Sequence, residues 1–202
     1  MRWDLLFDDL EARLDQEQRD EERALALEEE RLRLGRMGLR DRFAGMSRAI
    51  HDDLAAFIRV ELRTGATLAI RPSAFGRDWM SADQLDGDRS GRHCIVPFDA
   101  IAAVLAGPAL LERSLAPLDE VPSSLTDRMG LAFPLRDLSR RRAAVHVLTE
   151  SGRVHGTIDR VARDHLDLAL HPAGTPRRER EVQGYRIVPL DRVMLVSFGP
   201  QN

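Results

Sequence analysis

Lysine is absent from this 202-residue chain; all 30 of its basic residues are arginine. Positive charge is carried by guanidinium groups, which stay ionised, pack their stems and grip carboxylates at two points. Cysteine is almost absent. The one thiol, Cys94, has no second cysteine in the chain to bond, which fits a reducing compartment. No run of about 18 apolar residues occurs, so no membrane-spanning helix is expected. Aromatic residues make up only 5% of the chain and Tyr185 is the one tyrosine, too few for a platform on which unpaired bases stack. The formal net charge of -3 argues against a surface that coats nucleic acid, though not against a local basic patch. The opening M-R-W-D-L-L-F-D-D-L lacks the apolar run and small-residue cleavage site of a secretory signal. These absences together predict a cytoplasmic protein.

Catalytic signatures are missing as well. There is no Gly-x-Ser-x-Gly elbow, no Gly-x-Gly-x-x-Gly turn and no Walker-type loop. His146, His155, His165 and His171 invite a metal reading, yet they are six to ten residues apart, unlike the short ligand pairs of zinc sites. They read as solvent-facing or locally bonded side chains. His93 and Cys94 are adjacent, which on a strand sends them to opposite faces rather than into a nucleophile–base pair. The expectation is a protein with no catalytic residue, no cofactor and no metal. A histidine-based metalloprotein is the weakest alternative.

What is present begins with helix chemistry. Residues 3–43 hold no proline and are crowded with Leu, Ala, Glu, Arg and Gln. Leu25, Leu32 and Leu39 recur at spacing seven, the mark of a coiled-coil seam or a long packed helix. A polar stretch over 15–23 interrupts that pattern upstream, and Gly35 and Gly38 weaken its end. Residues 1–46 are thus expected to form an N-terminal helix with Trp3, Phe7, Leu25, Leu32 and Leu39 as docking side chains, for its own domain, a second copy or another protein.

The chain then repeats itself. I-R-V-E-L-R-T-G-A-T-L-A-I at 58–70 and V-H-V-L-T-E-S-G-R-V-H-G-T-I at 145–158 both read as strand, glycine turn, strand. Apolar residues alternate with polar ones along each first strand, the period of a half-buried hairpin. G-R-D-W-M and A-R-D-H-L follow at matching places. Each half closes on nearly the same words, I-V-P-F-D-A-I-A-A-V at 95–104 and I-V-P-L-D-R-V-M-L-V at 187–196. Five short strands are expected in each half, over 55–105 and 143–199, with a short helical linker at 106–142.

The glycine-centred hairpin, the G-T-I-D-R-V phrase at 156–161 and the I-V-P-L-D-R-V close resemble small SH3-like barrels, the Sm-like and PRC-barrel families among them. The whole layout also resembles a family of actinobacterial proteins with a helical start and a doubled barrel. That resemblance implies an α+β fold: a long N-terminal α-helix, then two small SH3-like or Sm-like antiparallel β-barrels. An Sm-like relationship implies RNA binding through an Asp-x-x-x-Asn pattern and an Arg-Gly pair. Here D-R-V-A-R-D-H-L at 159–166 has no Asn, and Q-G-Y-R-I-V-P at 183–189 has no Arg-Gly. A PRC-barrel relationship implies protein binding and brings no catalytic motif.

Two basic patches remain, Arg140–Arg141–Arg142 and Arg177–Arg178–Arg180, either of which suits phosphate or an acidic partner. The leading expectation is a non-enzymatic adaptor or assembly module that binds a protein or a second copy of itself as a homodimer. RNA binding through these arginines is the alternative.

Overall fold

The computed structural model describes residues 3–51, 56–86, 91–117, 125–174 and 177–199, with side chains from residue 13 onward. The chain forms two compact units, Met1–Gly38 and Leu39–Asn202.

The first unit is one helix, α1 (Trp3–Arg36). Its described surface is laced with acid–base pairs at spacings of three and four, such as Arg33 with Glu30 and Arg19 with Asp15. Each such exposed pair supports the helix by only a few tenths of a kcal/mol, roughly. The helix stops just after Gly35. Met37 and Gly38 are non-helical, and Leu39 opens a new helix, α2 (Leu39–His51). The seven-residue spacing through Leu25, Leu32 and Leu39 therefore does not belong to one continuous helix.

The second unit is built on ten strands: β1 (Ile58–Leu62), β2 (Thr67–Phe75), β3 (Trp79–Gln84), β4 (Arg92–Pro97), β5 (Ile101–Leu105), β6 (Ala144–Thr149), β7 (Gly152–Val161), β8 (His165–Leu170), β9 (Gly184–Pro189) and β10 (Val193–Phe198). Two short helices, α3 (Pro108–Arg113) and α4 (Ala132–Arg140), lie between β5 and β6. Pro122, Ser123 and Ser124 of this connection lie outside the described residues. The strand residues explain their own placement. Ile58, Val60 and Leu62 of β1 are buried while Arg59 is exposed, as alternation on a half-buried ribbon requires. Gly65 and Gly152 turn the two hairpins with φ of 78° and 114°, a region open to glycine and costly for other residues.

All ten strands pair antiparallel in a single sheet of order β5-β1-β2-β3-β4-β10-β6-β7-β8-β9. The internal repeat is present in its register. The first five strands run β5-β1-β2-β3-β4 and the second five β10-β6-β7-β8-β9. Even the irregularities coincide. β2 bulges against β3 between Pro72 and Ala74, and β7 against β8 between Ile158 and Arg160. β1 slips against β5 between Glu61 and Leu62, and β10 slips against β6 between Val193 and Leu195.

This architecture corrects the expectation of two separate SH3-like or Sm-like barrels. The sheet is open and continuous. β10 pairs with β6 on one side and with β4 on the other, Val196 facing Ile95, Ser197 facing Cys94 and Phe198 facing His93. The last strand of the second half thus completes the first half's ladder, and neither half closes on itself. Among the described residues, β5 pairs only with β1 and β9 only with β8.

Two cores serve this sheet. The first gathers Phe43, Met46 and Ile50 of α2 over Ile58, Val60, Ile70 and Met80. The second gathers Leu135 and Leu138 of α4 over Val145, Val147, Ile158 and Leu168. β10 contributes to both, Leu195 to the first and Val196 to the second. Adjacent strand residues face opposite ways, so the two cores lie on opposite faces of the one sheet.

Candidate interaction surfaces

The structure gathers part of the two arginine clusters at the bulge of β7. Asp159 occupies the bulge, and its carboxylate accepts Arg142 Nη1 at 2.9 Å and Arg177 Nε at 2.7 Å. A second bond from Arg177 Nη2 makes that pair two-pronged, and the side chain of Asp159 is only 13% exposed beneath the two guanidiniums. The carboxylate raises the pKa of Arg177 above its ordinary value, chiefly by accepting its hydrogen bonds. The bulge of β7 places Asp159 beneath these guanidiniums rather than in open solvent. Arg140 and Arg141 take a different acid, Asp137, one turn earlier on α4. Arg180 pairs with its neighbour Glu181, and Arg178 is exposed. Five of the six arginines named from the sequence are therefore held by carboxylates.

Arg142 sits where the end of α4 needs a left-handed residue. Ala143 N–H donates to Leu138 C=O and Arg142 N–H to Ser139 C=O, the paired bonds of a Schellman motif, and Arg142 has φ of 53°. Glycine is the usual residue there. Its side chain is bonded to Asp159, while Ser139 and Arg136 tie α4 to the backbone of β7 at Asp159 and Val161 and to Ala162 just after it.

On α1, Leu14, Leu25 and Leu32 are 58%, 66% and 52% exposed. At about 100° per residue they fall within roughly 20° of one another and form a single stripe. Leu27 and Leu34 lie on the far side of the helix. The side chains of Trp3 and Phe7 lie outside the described residues. Leu39, 41% exposed, belongs to α2.

Histidines and the thiol named separately from the sequence fall into one cross-strand row. Ala82, Cys94, Ser197, His146 and His155 face one another in register across β3, β4, β10, β6 and β7. Paired residues in antiparallel strands point to the same face. The His155 ring stands 4.6 Å from His146 and 5.1 Å from His171, which is buried and shares a 2.9 Å hydrogen bond with Thr157. Both ring nitrogens of His155 are buried without a hydrogen-bond partner, as are the Ser197 hydroxyl and the Gln84 amide. Among the described residues, no group of three His, Cys, Asp or Glu side chains is placed to hold a metal ion. Burial pushes the Cys94 thiol up to about 12, with Asp83 adding to the effect.

Burial, then the positive fields of His171 and Arg92, hold the pKa of His155 below the ordinary 6.5. The unfolded chain therefore binds a proton at this site at higher pH than the folded one. Stability contributed by neutral His155 is complete above about 6.5 and is lost as pH falls toward the lowered value. In thermal melts between pH 7.5 and 5.5, His155→Leu should lose less stability on acidification than the wild type. Parallel curves for the two proteins would show that His155 does not titrate in this way.

An open pocket of about 550 Å³ lies between α4 and the sheet, lined by Trp79, Ile95, Phe133, Leu138 and Phe198 with Arg141 at its rim. Trp79 is 5% exposed, with its indole N–H donated to Met129 C=O. Sequence reasoning missed Phe133 and Phe198, since no sequence period brings the start of α4 and the last strand together. It also missed Tyr185 and Ile187 of β9, exposed at 60% and 68%. No helix among the described residues is long and apolar enough to cross a membrane. Comparison with protein-family models, with curated proteins and with solved structures finds no match.

Proposed function

We propose that this chain is a non-enzymatic adaptor or assembly module that works by binding protein, either another chain or its own copy. The observation that carries the reading is the leucine stripe of α1. Three leucines on one line, each more than half exposed, place large apolar side chains in water along a helix whose other residues are mostly charged, with Leu27 and Leu34 exposed on the far side. An amphipathic partner helix is the occupant that such a stripe suits. The pairing of most clustered arginines with Asp137, Asp159 and Glu181 lowers the charge available to a phosphate backbone and so favours protein over RNA.

The test is capture of partners by the full-length protein, with and without RNase, in parallel with Leu25→Arg/Leu32→Arg. A stoichiometric protein that survives RNase and is lost from the helix variant is the expected result. RNA enrichment that survives the helix substitutions but is lost in Arg142→Glu/Arg177→Glu would contradict it. That second reading has one observation behind it: the two clusters, far apart in sequence, meet at Asp159.

A further inference from the structure

We infer that copies of this chain join head to tail, the β9 edge of one copy pairing antiparallel with the β5 edge of the next. This inference rests on the reading of the chain as an assembly module and names its self-binding surface. The molecule already contains the joint once. β4 and β10 are the outer strands of the two repeats, and they pair within the chain. β9 is the repeat equivalent of β4, and β5 is the repeat equivalent of β10. Among the described residues, both are left with one side of their backbone without a strand partner.

The side chains on these open edges are those a joint needs. In the internal joint Ile95 faces Val196, and both lie in the second core. Matching I-V-P to I-V-P puts Ile187 at the place of Ile95, and matching the strands that follow puts Val104 at the place of Val196. Ile95 is 3% exposed, whereas Ile187 is 68% exposed. Val104 of the edge strand is only partly buried against the first core. Setting Ile187 against Val104 of a second copy extends the first core across the chain boundary, as Ile95 extends the second core across β10. The same register sets Arg186 opposite Leu105 and Tyr185 opposite Ala106. Leu105 is 48% exposed, while its equivalent Ser197 is fully buried in the internal joint.

The edges carry little of the usual protection. β5 reads I-A-A-V-L, without charge or proline, its bulge at Ala102 lying against β1; β9 carries a single charge, Arg186, and ends on Pro189 as the paired strand β4 ends on Pro97. Strands that must stay solitary are ordinarily guarded by inward charges or prolines. Because the two joining surfaces differ, the contact is heterologous, and each added copy leaves the same two edges open.

Sedimentation of the full chain over a range of concentrations tests this. The wild type should grow beyond a dimer as concentration rises. Ile187→Arg blocks β9, and Leu105→Arg sets two like charges opposite at β5. Each variant alone should weaken assembly, the first on the order of a hundredfold because its charge would be buried beside Val104. Mixed together they should form a 1:1 dimer and stop, since one intact edge of each kind remains. Leu105→Glu sets an acid opposite Arg186 and should tighten assembly, by about fivefold at most. Circular dichroism checks that each variant stays folded. A wild type that remains monomeric near 1 mM, roughly the concentration at which only negligible affinity goes unseen, would overturn the inference. So would assembly unaffected by the edge variants. If assembly vanishes instead in Leu25→Arg/Leu32→Arg, the edge joint is wrong while the assembly reading stands.

Discussion

In Leu135→Ala protein, amide exchange should accelerate in β1 and β2 as well as in β6 and β7, with a loss of about 2–5 kcal/mol of stability. Leu135 lies on α4 and is fully buried in the second core. Two independent modules would confine the damage to the second. Here the second core also contains Trp79 of β3 and Ile95 of β4, which belong to the first half. β10 then carries the effect onward, because Leu195 lies in the first core and Val196 in the second. Denaturant titration gives the size of the loss, and exchange followed by mass spectrometry gives its reach. Loss of protection restricted to β6–β9 would mean that the halves unfold separately.

Gly156→Ala should cost about 3 kcal/mol, the upper end of the ordinary range for overpacking. Gly156 faces Val145 on β6 and Leu170 on β8. A Cβ there would stand 2.3 Å from the carbonyl oxygen of Ala169, part of the neighbouring backbone. A flexible side chain could move aside; a strand carbonyl held in the sheet moves only with its strand. Urea denaturation measures the loss. A change below about 0.5 kcal/mol, typical of a surface substitution, would show that β7 and β8 are farther apart here than described.

Much of the sheet was legible in the sequence. Alternation in 58–62 marked β1, and the glycine turns placed both hairpins. The paired I-V-P phrases located β4 and β9 and gave the repeat. What the sequence withheld was the joint between repeats. Ile95 and Ile187 occur in nearly identical phrases, yet one is buried and the other exposed. The difference comes from β10, hundreds of atoms away along the chain, choosing β4 as its second neighbour. A trace of that choice is present: V-M-L-V-S-F is apolar at successive positions, as a strand covered on both faces must be, whereas I-A-A-V-L holds two small alanines. The expectation of two small barrels fails at this point, because the last strand joins the two halves into one open sheet.

The candidate surfaces were legible in a different degree. The arginine runs were visible, but their carboxylate partners were not, because Asp159 reaches Arg177 through a bulge that no periodicity announces. The leucines of α1 were visible, while the break at Met37 and Gly38 removed Leu39 from their helix. The row from Cys94 to His155 depends wholly on cross-strand register, and register between distant strands has no local signature.

The measurement that bears most directly on the single continuous sheet is a set of cross-strand nuclear Overhauser contacts between β4 and β10. Contacts linking Ile95 with Val196, Cys94 with Ser197 and His93 with Phe198 are expected, at the same strength as those within each half. Contacts within each half but none between these three pairs would contradict the shared ladder and return the chain to two separate modules.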